Sequence, residues 1–229
     1  MIVLALDTSG AACSVALRDG TGRLVAHRFE ALQRGHAERL MPMLREAMDE
    51  AAIDFAAVDL IAVTTGPGSF TGIRVGLAAA RGLALASDLP LLGVTAFEAV
   101  QEAVTAGERQ GRTLLVAIDS RRGDLFIQGF GADRAPLAAP AAVGQEALAA
   151  ALPAGALLLA GDGAGRAAAL LAEAGRDIVL AGAAGPPDAA AVAAAALSRW
   201  RAGEKPPPPL PLYLRAPDVT LPPARPAPR

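Results

Sequence analysis

The chain has 229 residues, enough for one large domain or two small ones, and a protein of that size buries roughly 70% of its unfolded surface. It is 53% hydrophobic but only 3% aromatic, so alanine and other small side chains must build the core. A net charge of −2 argues against a free-standing nucleic-acid binder, the lone Cys13 excludes an internal disulfide, and charges interrupt every apolar run before it reaches membrane-spanning length.

Ile2-Val3-Leu4-Ala5-Leu6 is a continuous apolar run, the mark of a strand covered on both faces, and Asp7-Thr8-Ser9-Gly10 ends it. Cys13 to Leu17 alternates as a second strand, with Cys13 a buried small residue. Asp19-Gly20 and Gly22 make a turn, and Arg23 to Phe29 reads as a third strand, so the chain opens as an antiparallel meander. No secretory leader is evident, and a cytoplasmic location is expected. A helix is predicted from His36 to Ala52, because Leu40, Leu44, Ala47, Met48 and Ala51 repeat at helical spacing; Pro42 should kink its first turns.

Leu60 to Thr65 is a strand, Ile73 to Leu85 an apolar helix, Pro90 to Val94 a strand and Ala96 to Ala106 a helix. The polar stretch Gly107 to Arg112 reads as a boundary. The pattern then restarts: Thr113 to Asp119 is again an apolar strand ending in aspartate, Ser120 to Gly123 a turn, and Asp124 to Phe130 the return strand. Helices are predicted over 145–152, 166–174 and 189–202, with strands over 156–160 and 178–180. Leu197 and Trp200 should pack the last helix on the body. Residues 206–229 are proline-rich: Pro206 to Pro209 should be extended, Leu210 to Leu214 should dock as a strand or strap, and residues past Val219 should be disordered.

The connection Thr64-Thr65-Gly66-Pro67-Gly68-Ser69-Phe70-Thr71-Gly72-Ile73-Arg74-Val75-Gly76 carries most information. Gly66 and Gly68 permit backbone angles closed to other residues, Pro67 stiffens the turn, and Ser69 or Thr71 can cap the helix. A helix N-terminus there could cradle phosphate. Yet no Gly-Lys-Ser/Thr closes the loop, no lysine precedes Lys205, and the pattern is not Gly-x-Gly-x-x-Gly. The other reading is a shaped connection between a sheet and a tightly packed helix. Gly72, Gly76, Ala80 and Ala84 recur every fourth residue and line one face. That face serves either packing on the chain's own sheet or docking of a partner helix; Ile73, Leu77 and Leu83 could fill the internal core and leave it free.

Two halves that each open with an aspartate-ended strand and a return strand resemble the superfamily of actin, Hsp70 chaperones and sugar kinases: an α/β, two-lobed actin-like ATPase (ribonuclease H-like) fold with a duplicated strand meander plus helices. The run Gly66-Pro67-Gly68-Ser69-Phe70-Thr71-Gly72-Ile73-Arg74 sharpens the likeness. It is similar to the TsaB family, the small partner subunit in bacterial synthesis of threonylcarbamoyladenosine on tRNA. His36-Ala37-Glu38-Arg39-Leu40-Met41-Pro42, Asp119-Ser120-Arg121-Arg122-Gly123-Asp124, Gly161-Asp162-Gly163-Ala164 and Pro211-Leu212-Tyr213-Leu214-Arg215 agree, so the resemblance runs from Met1 to about Leu221.

In active relatives of that fold the turn after the first strand faces the phosphates of ATP, which makes Asp7, Thr8 and Ser9 the candidate nucleotide residues. Here Ala11-Ala12-Cys13 and Arg121-Arg122 follow the two aspartates where active relatives need glycine-rich turns, so a degenerate site and no cofactor are expected. The catalytic paralogue TsaD carries a metal on a His-x-x-x-His helix. This chain has only His27 and His36, and the residue four beyond His36 is Leu40, so no metal site is expected. Ser69 has no evident histidine partner for peptidase chemistry.

The resemblance implies a noncatalytic subunit that pairs with TsaD, with the P-loop ATPase TsaE joining the pair and tRNA contact only within the complex; whether the isolated chain is a homodimer is left open by the sequence. The expected contact residues are His36, Leu40 and Met43 on the first helix with Ser69, Gly72, Ile73, Gly76 and Ala80 on the small-faced one. The expected lobes are 1–106, completed by the helix at 189–202, and 112–185. The alternatives are an ATP-binding phosphotransferase or glycoprotease-type peptidase, and a protein that associates only with itself.

Overall fold

The computed structural model describes residues 1–182, 185–201, 203 and 207–215. Its first sheet contains β1 (Ile2–Asp7), β2 (Ala12–Asp19), β3 (Leu24–Ala31), β4 (Leu60–Thr64) and β5 (Leu91–Val94), in the order β3-β2-β1-β4-β5. The first three pair antiparallel, while β4 runs parallel to β1 and β5 parallel to β4. The second sheet contains β6 (Thr113–Asp119), β7 (Asp124–Phe130), β8 (Ala141–Gly144), β9 (Leu157–Ala160) and β10 (Ile178–Leu180), in the order β10-β9-β6-β7-β8. Its pairings repeat those of the first sheet strand for strand. One topology is used twice, as the two aspartate-ended strands implied.

The first sheet is covered on both faces, which is why β1 is apolar at every position. Leu4 and Leu6 point to one side with Val15, Leu17, Ile61 and Val63. There α1 (His36–Ala51) lays down Leu40, Met43, Leu44, Ala47 and Met48, and α2 (Phe70–Ser87) lays down Ile73, Leu77 and Ala80. Val3 and Ala5 point to the other side with Leu60, Ala62, Leu92 and Val94, against α6 (Ala189–Arg201). Alanines at 189, 193 and 196 let α6 sit close to the sheet. Its first turn is fastened by Ala189 N–H to Ser14 Oγ at 2.9 Å and by an Asp188–His27 contact at 2.7 Å. That carboxylate raises the pKa of His27.

The second sheet is covered on one face by α5 (Ala164–Glu173), through Ala164, Ala167 and Leu171. On its other face lie Phe97 and Val100 of α3 (Ala96–Ala103), together with Leu212 and Leu214 from the C-terminal stretch. Ala99, also on α3, packs with the α6 cluster, so this helix touches the cores of both sheets.

Three element expectations change. The run Ala96–Ala106 is not one helix: Thr95 and Thr105 each start a capping box, closing on Glu98 and Glu108, so a second short helix, α4 (Ala106–Arg109), begins where the boundary was read. The alanine-rich stretch 145–152 holds a single 3-10 turn at Gln145–Ala147 rather than a helix, and β8 just before it was missed because its alanines carry no strand signal. The small face of α2 points inward. A Cβ on Gly72 would lie 2.0 Å from the Thr8 carbonyl oxygen, and one on Gly76 would lie 2.7 Å from Thr8 Oγ1, so no side chain fits between this helix and β1. Ala202, Pro206 and the tail past Val219 lie outside the described residues.

Gly76→Leu should therefore destabilise the isolated chain by about 1–3 kcal/mol through overpacking. Thermal melting reads this directly; an unchanged midpoint would put the Gly76 face outside the core.

Candidate functional site

The ends of β1, β4 and β6 converge on one cleft of about 810 Å³. Ser9, Gly10 and Ala11 line it from the β1–β2 turn, Gly68 and Ser69 from the β4–α2 loop, and Asp119 to Arg122 with Asp162 from the second sheet. Leu212 to Arg215 cross its rim. Ligands of open α/β sheets bind at such strand ends.

Several polar groups of the turn after β1 are bonded within the protein. Ser9 donates both its N–H (3.2 Å) and its hydroxyl (2.7 Å) to Asp7 Oδ1. Thr8 Oγ1 donates to the Gly72 carbonyl at 2.7 Å, and the Ser69 N–H donates to the Ser9 carbonyl at 2.7 Å. A Cβ at Gly68 would sit 2.2 Å from that same Ser9 oxygen. The amides of Ser9 and Ser69 are thus held by the protein's own oxygens.

Asp7 is fully buried and absent from the cleft wall, and its Oδ2 has no hydrogen-bond partner. Burial pushes its carboxyl up to about 6, opposed by the hydroxyls of Ser9 and Thr64; Thr64 Oγ1 lies near but makes no hydrogen bond of normal geometry. The second turn is similarly self-contained. Asp119 Oδ1 accepts from the Arg121 N–H at 2.9 Å and from Arg166 at 3.2 Å, and Asp162 Oδ1 accepts from the Asp119 N–H at 2.9 Å. Asp119 and Asp162 line the cleft together with Arg121, Arg122 and Arg215. Among the described residues no group of three His, Cys, Asp or Glu is placed to hold a metal ion.

The expected contact residues separate into two groups. His36 is half-buried, with Nε2 at 3.2 Å from the Gly10 carbonyl, and Ser69 is exposed, its Oγ accepting from the Gly72 N–H at 3.2 Å to cap α2. Both line the cleft, but their hydrogen bonds do not join them as a nucleophile–base pair. Leu40, Met43, Gly72, Ile73, Gly76 and Ala80 are all buried within the chain. The physical reason is the close approach of α2 to Thr8, which turns its glycine row to the sheet.

A different row faces outward and was missed. Ala78, Gly82 and Ala86 are exposed at four-residue spacing, space around Gly82 is open, and Leu85 beside them is 87% exposed. Met41 of α1 is also exposed. The signal was available, since these small residues have the same period as the inner row. At the start of α2 the Arg74 guanidinium stacks 3.6 Å from the Phe70 ring centroid, and its Nε donates to Tyr213 Oη at 3.0 Å.

Two sheets of this topology facing one cleft define the actin-like ATPase fold. A component of the (R)-2-hydroxyglutaryl-CoA dehydratase of Acidaminococcus fermentans shares it, with a TM-score of 0.51 at 10% identity. The family profile described as TsaD: tRNA N6-adenosine threonylcarbamoyltransferase matches residues 29–153. YeaZ from Pseudomonas aeruginosa superposes with a TM-score of 0.78 at 32% identity, covering 93% of this chain and 99% of that one. The tRNA threonylcarbamoyladenosine biosynthesis protein TsaB of Escherichia coli is 40% identical over 128 residues, 55% of this chain and 53% of that protein. The TsaB of Haemophilus influenzae is 38% identical over 127 residues. The chain belongs to this family, as a member of the TsaB and YeaZ type. It spans about half the length of the curated relatives it matches.

Neutral Asp7 makes the folded chain hold a proton that the unfolded chain releases between about pH 4 and 6. The stability it contributes is full below the unfolded pKa and is lost as pH rises through the folded one, on the order of 3 kcal/mol. Asp7→Asn should remove that fall and raise the melting temperature at pH 8. An unaltered pH slope in the variant would show that Asp7 is not the group responsible.

Proposed function

We propose that this chain is a noncatalytic subunit in the synthesis of threonylcarbamoyladenosine on tRNA, pairing with the catalytic paralogue TsaD. Family membership supports the pathway: the relatives it matches are named as biosynthesis proteins of that nucleoside. The burial of Asp7 away from the cleft wall supports a supporting role over a chemical one. The observation that carries the pairing is the outer face of α2. Leu85 is 87% exposed next to Ala78, Gly82 and Ala86, on a helix whose opposite face is locked to β1. An apolar side chain beside a row of small ones offers a partner helix both close approach and area to bury. Met41 on α1 is exposed as well.

In this reading residues 1–106 with α6 form the lobe that docks, and 112–185 form the second lobe. TsaE joins through the pair, a second copy occupies the same face when TsaD is absent, and tRNA is met only in the assembled complex. The setting is the cytoplasm. Among the described residues no helix is long and apolar enough to cross a membrane.

Leu85→Glu should leave the stability of the lone subunit within about 0.5 kcal/mol of the original, as expected for an exposed position, and Gly82→Leu should not lower it, since glycine costs roughly 1 kcal/mol in a helix interior. Each should weaken co-purification with the TsaD of the same genome by roughly 2 kcal/mol or more, about thirty-fold in affinity. Folded variants that pair normally would move the contact elsewhere.

A further inference from the structure

Residues 207–215 join the two sheets across the mouth of the cleft. On the first-sheet side the Pro209 carbonyl accepts from Arg81 of α2 at 2.5 Å, the Leu212 N–H donates to the Thr65 carbonyl at 2.8 Å, and Tyr213 Oη accepts from Arg74. Packing there is close: a Cβ at Gly93 would lie 2.7 Å from Pro209 Cβ. On the second-sheet side Leu212 and Leu214 pack in the cluster of Phe97, Val116, Ile118 and Phe126. The strap ends at an ion pair, Arg215 Nη2 to Asp124 Oδ2 at 2.9 Å. Asp124 is nearly buried at the start of β7, and its other oxygen accepts from Ser120 Oγ at 2.6 Å. Leu212, Tyr213, Leu214 and Arg215 themselves form part of the cleft wall.

We propose that this strap is a clasp that sets the width of the cleft, with the Arg215–Asp124 pair as its catch and α2 as its anchor. The two ends are unequal. The anchor combines hydrogen bonds to strap backbone with tightly packed proline, whereas the catch is two apolar side chains and one ion pair. Burial alone would raise the Asp124 carboxyl, but Ser120, Arg215 and Arg166 hold it below the usual carboxylate range. A partly buried, oriented pair of this kind outweighs an ordinary surface pair and is still weakened by salt. When the catch lets go, the strap stays on α2 and the wall it forms leaves the second sheet. Cleft width is then tied to α2 through Arg74 and Arg81, two side chains of one helix. The device stands whether or not the chain pairs with TsaD.

The test is a distance measurement in the full chain between spin labels at Gln33→Cys and Gly123→Cys, which flank the cleft from opposite sheets. Native Cys13 stays unlabelled, because it is buried and its thiol is pushed up to about 12. One narrow distance distribution is expected. Arg215→Ala should broaden it and move it to longer distance, and Arg215→Lys should retain it. Raising salt should broaden it in the otherwise unaltered labelled chain, which supplies the test if Arg215→Ala does not fold. A distribution that neither Arg215→Ala nor salt moves, even where Arg215→Ala lowers the melting temperature, would overturn the clasp and leave the strap as packing alone.

Discussion

The contact between the β1–β2 turn and the start of α2 decides the rest of the first half of the chain. Thr8 and Ser9 turn their carbonyl oxygens toward α2, and only glycine at 68 and 72 lets the loop and helix come that near. The Thr8 hydroxyl and the Ser69 N–H then close the gap with hydrogen bonds. Two consequences share this single cause. The Thr8 hydroxyl and the Ser9 carbonyl at the turn after β1 are bonded to the start of α2. The helix is also rotated so that its glycine row faces inward and Leu85 faces water. The second half repeats the device, with Gly161 and Gly163 against the carbonyl of Ala117 where α5 begins.

Much of the architecture was legible because its periodicities are strong. The two aspartate-ended strands announced the duplication, and Leu40, Leu44, Ala47 and Met48 marked the apolar face of α1, although Leu40 and Met43 on that face were also expected to meet a partner. Where reading failed, composition was the reason. Alanine favours helices and also fills edge strands, so β8 and the turn at 145–147 could not be told apart from a helix. In α2 the same richness in small residues produced two rows with one period: Gly72–Gly76–Ala80–Ala84 and Ala78–Gly82–Ala86. Periodicity identifies a face but not its direction, and nothing local tells which row meets the sheet. That depended on Thr8, more than sixty residues earlier in the chain. The turn residues Asp7, Thr8 and Ser9 were found as a motif, but their burial follows from what packs on them, which the motif does not contain. Asp124 and Arg215 showed no relation in sequence, because their pairing exists only once both sheets are in place.

The placement of α6 has a consequence for how the chain is made. The first sheet needs α6 to cover Val3, Ala5, Leu60, Ala62, Leu92 and Val94, yet α6 begins about 95 residues after β5 ends. At a synthesis rate of roughly 5–20 residues per second, that face stays bare for about 5–20 s on every ribosome. All of its strands are out of the exit tunnel before their cover exists. The second sheet has its own strands and α5 complete earlier than the first sheet has its lid. The half of the molecule that emerges first therefore waits for a helix made after the strands of the second sheet, and an uncovered apolar face of that kind is what makes a nascent chain prone to aggregation.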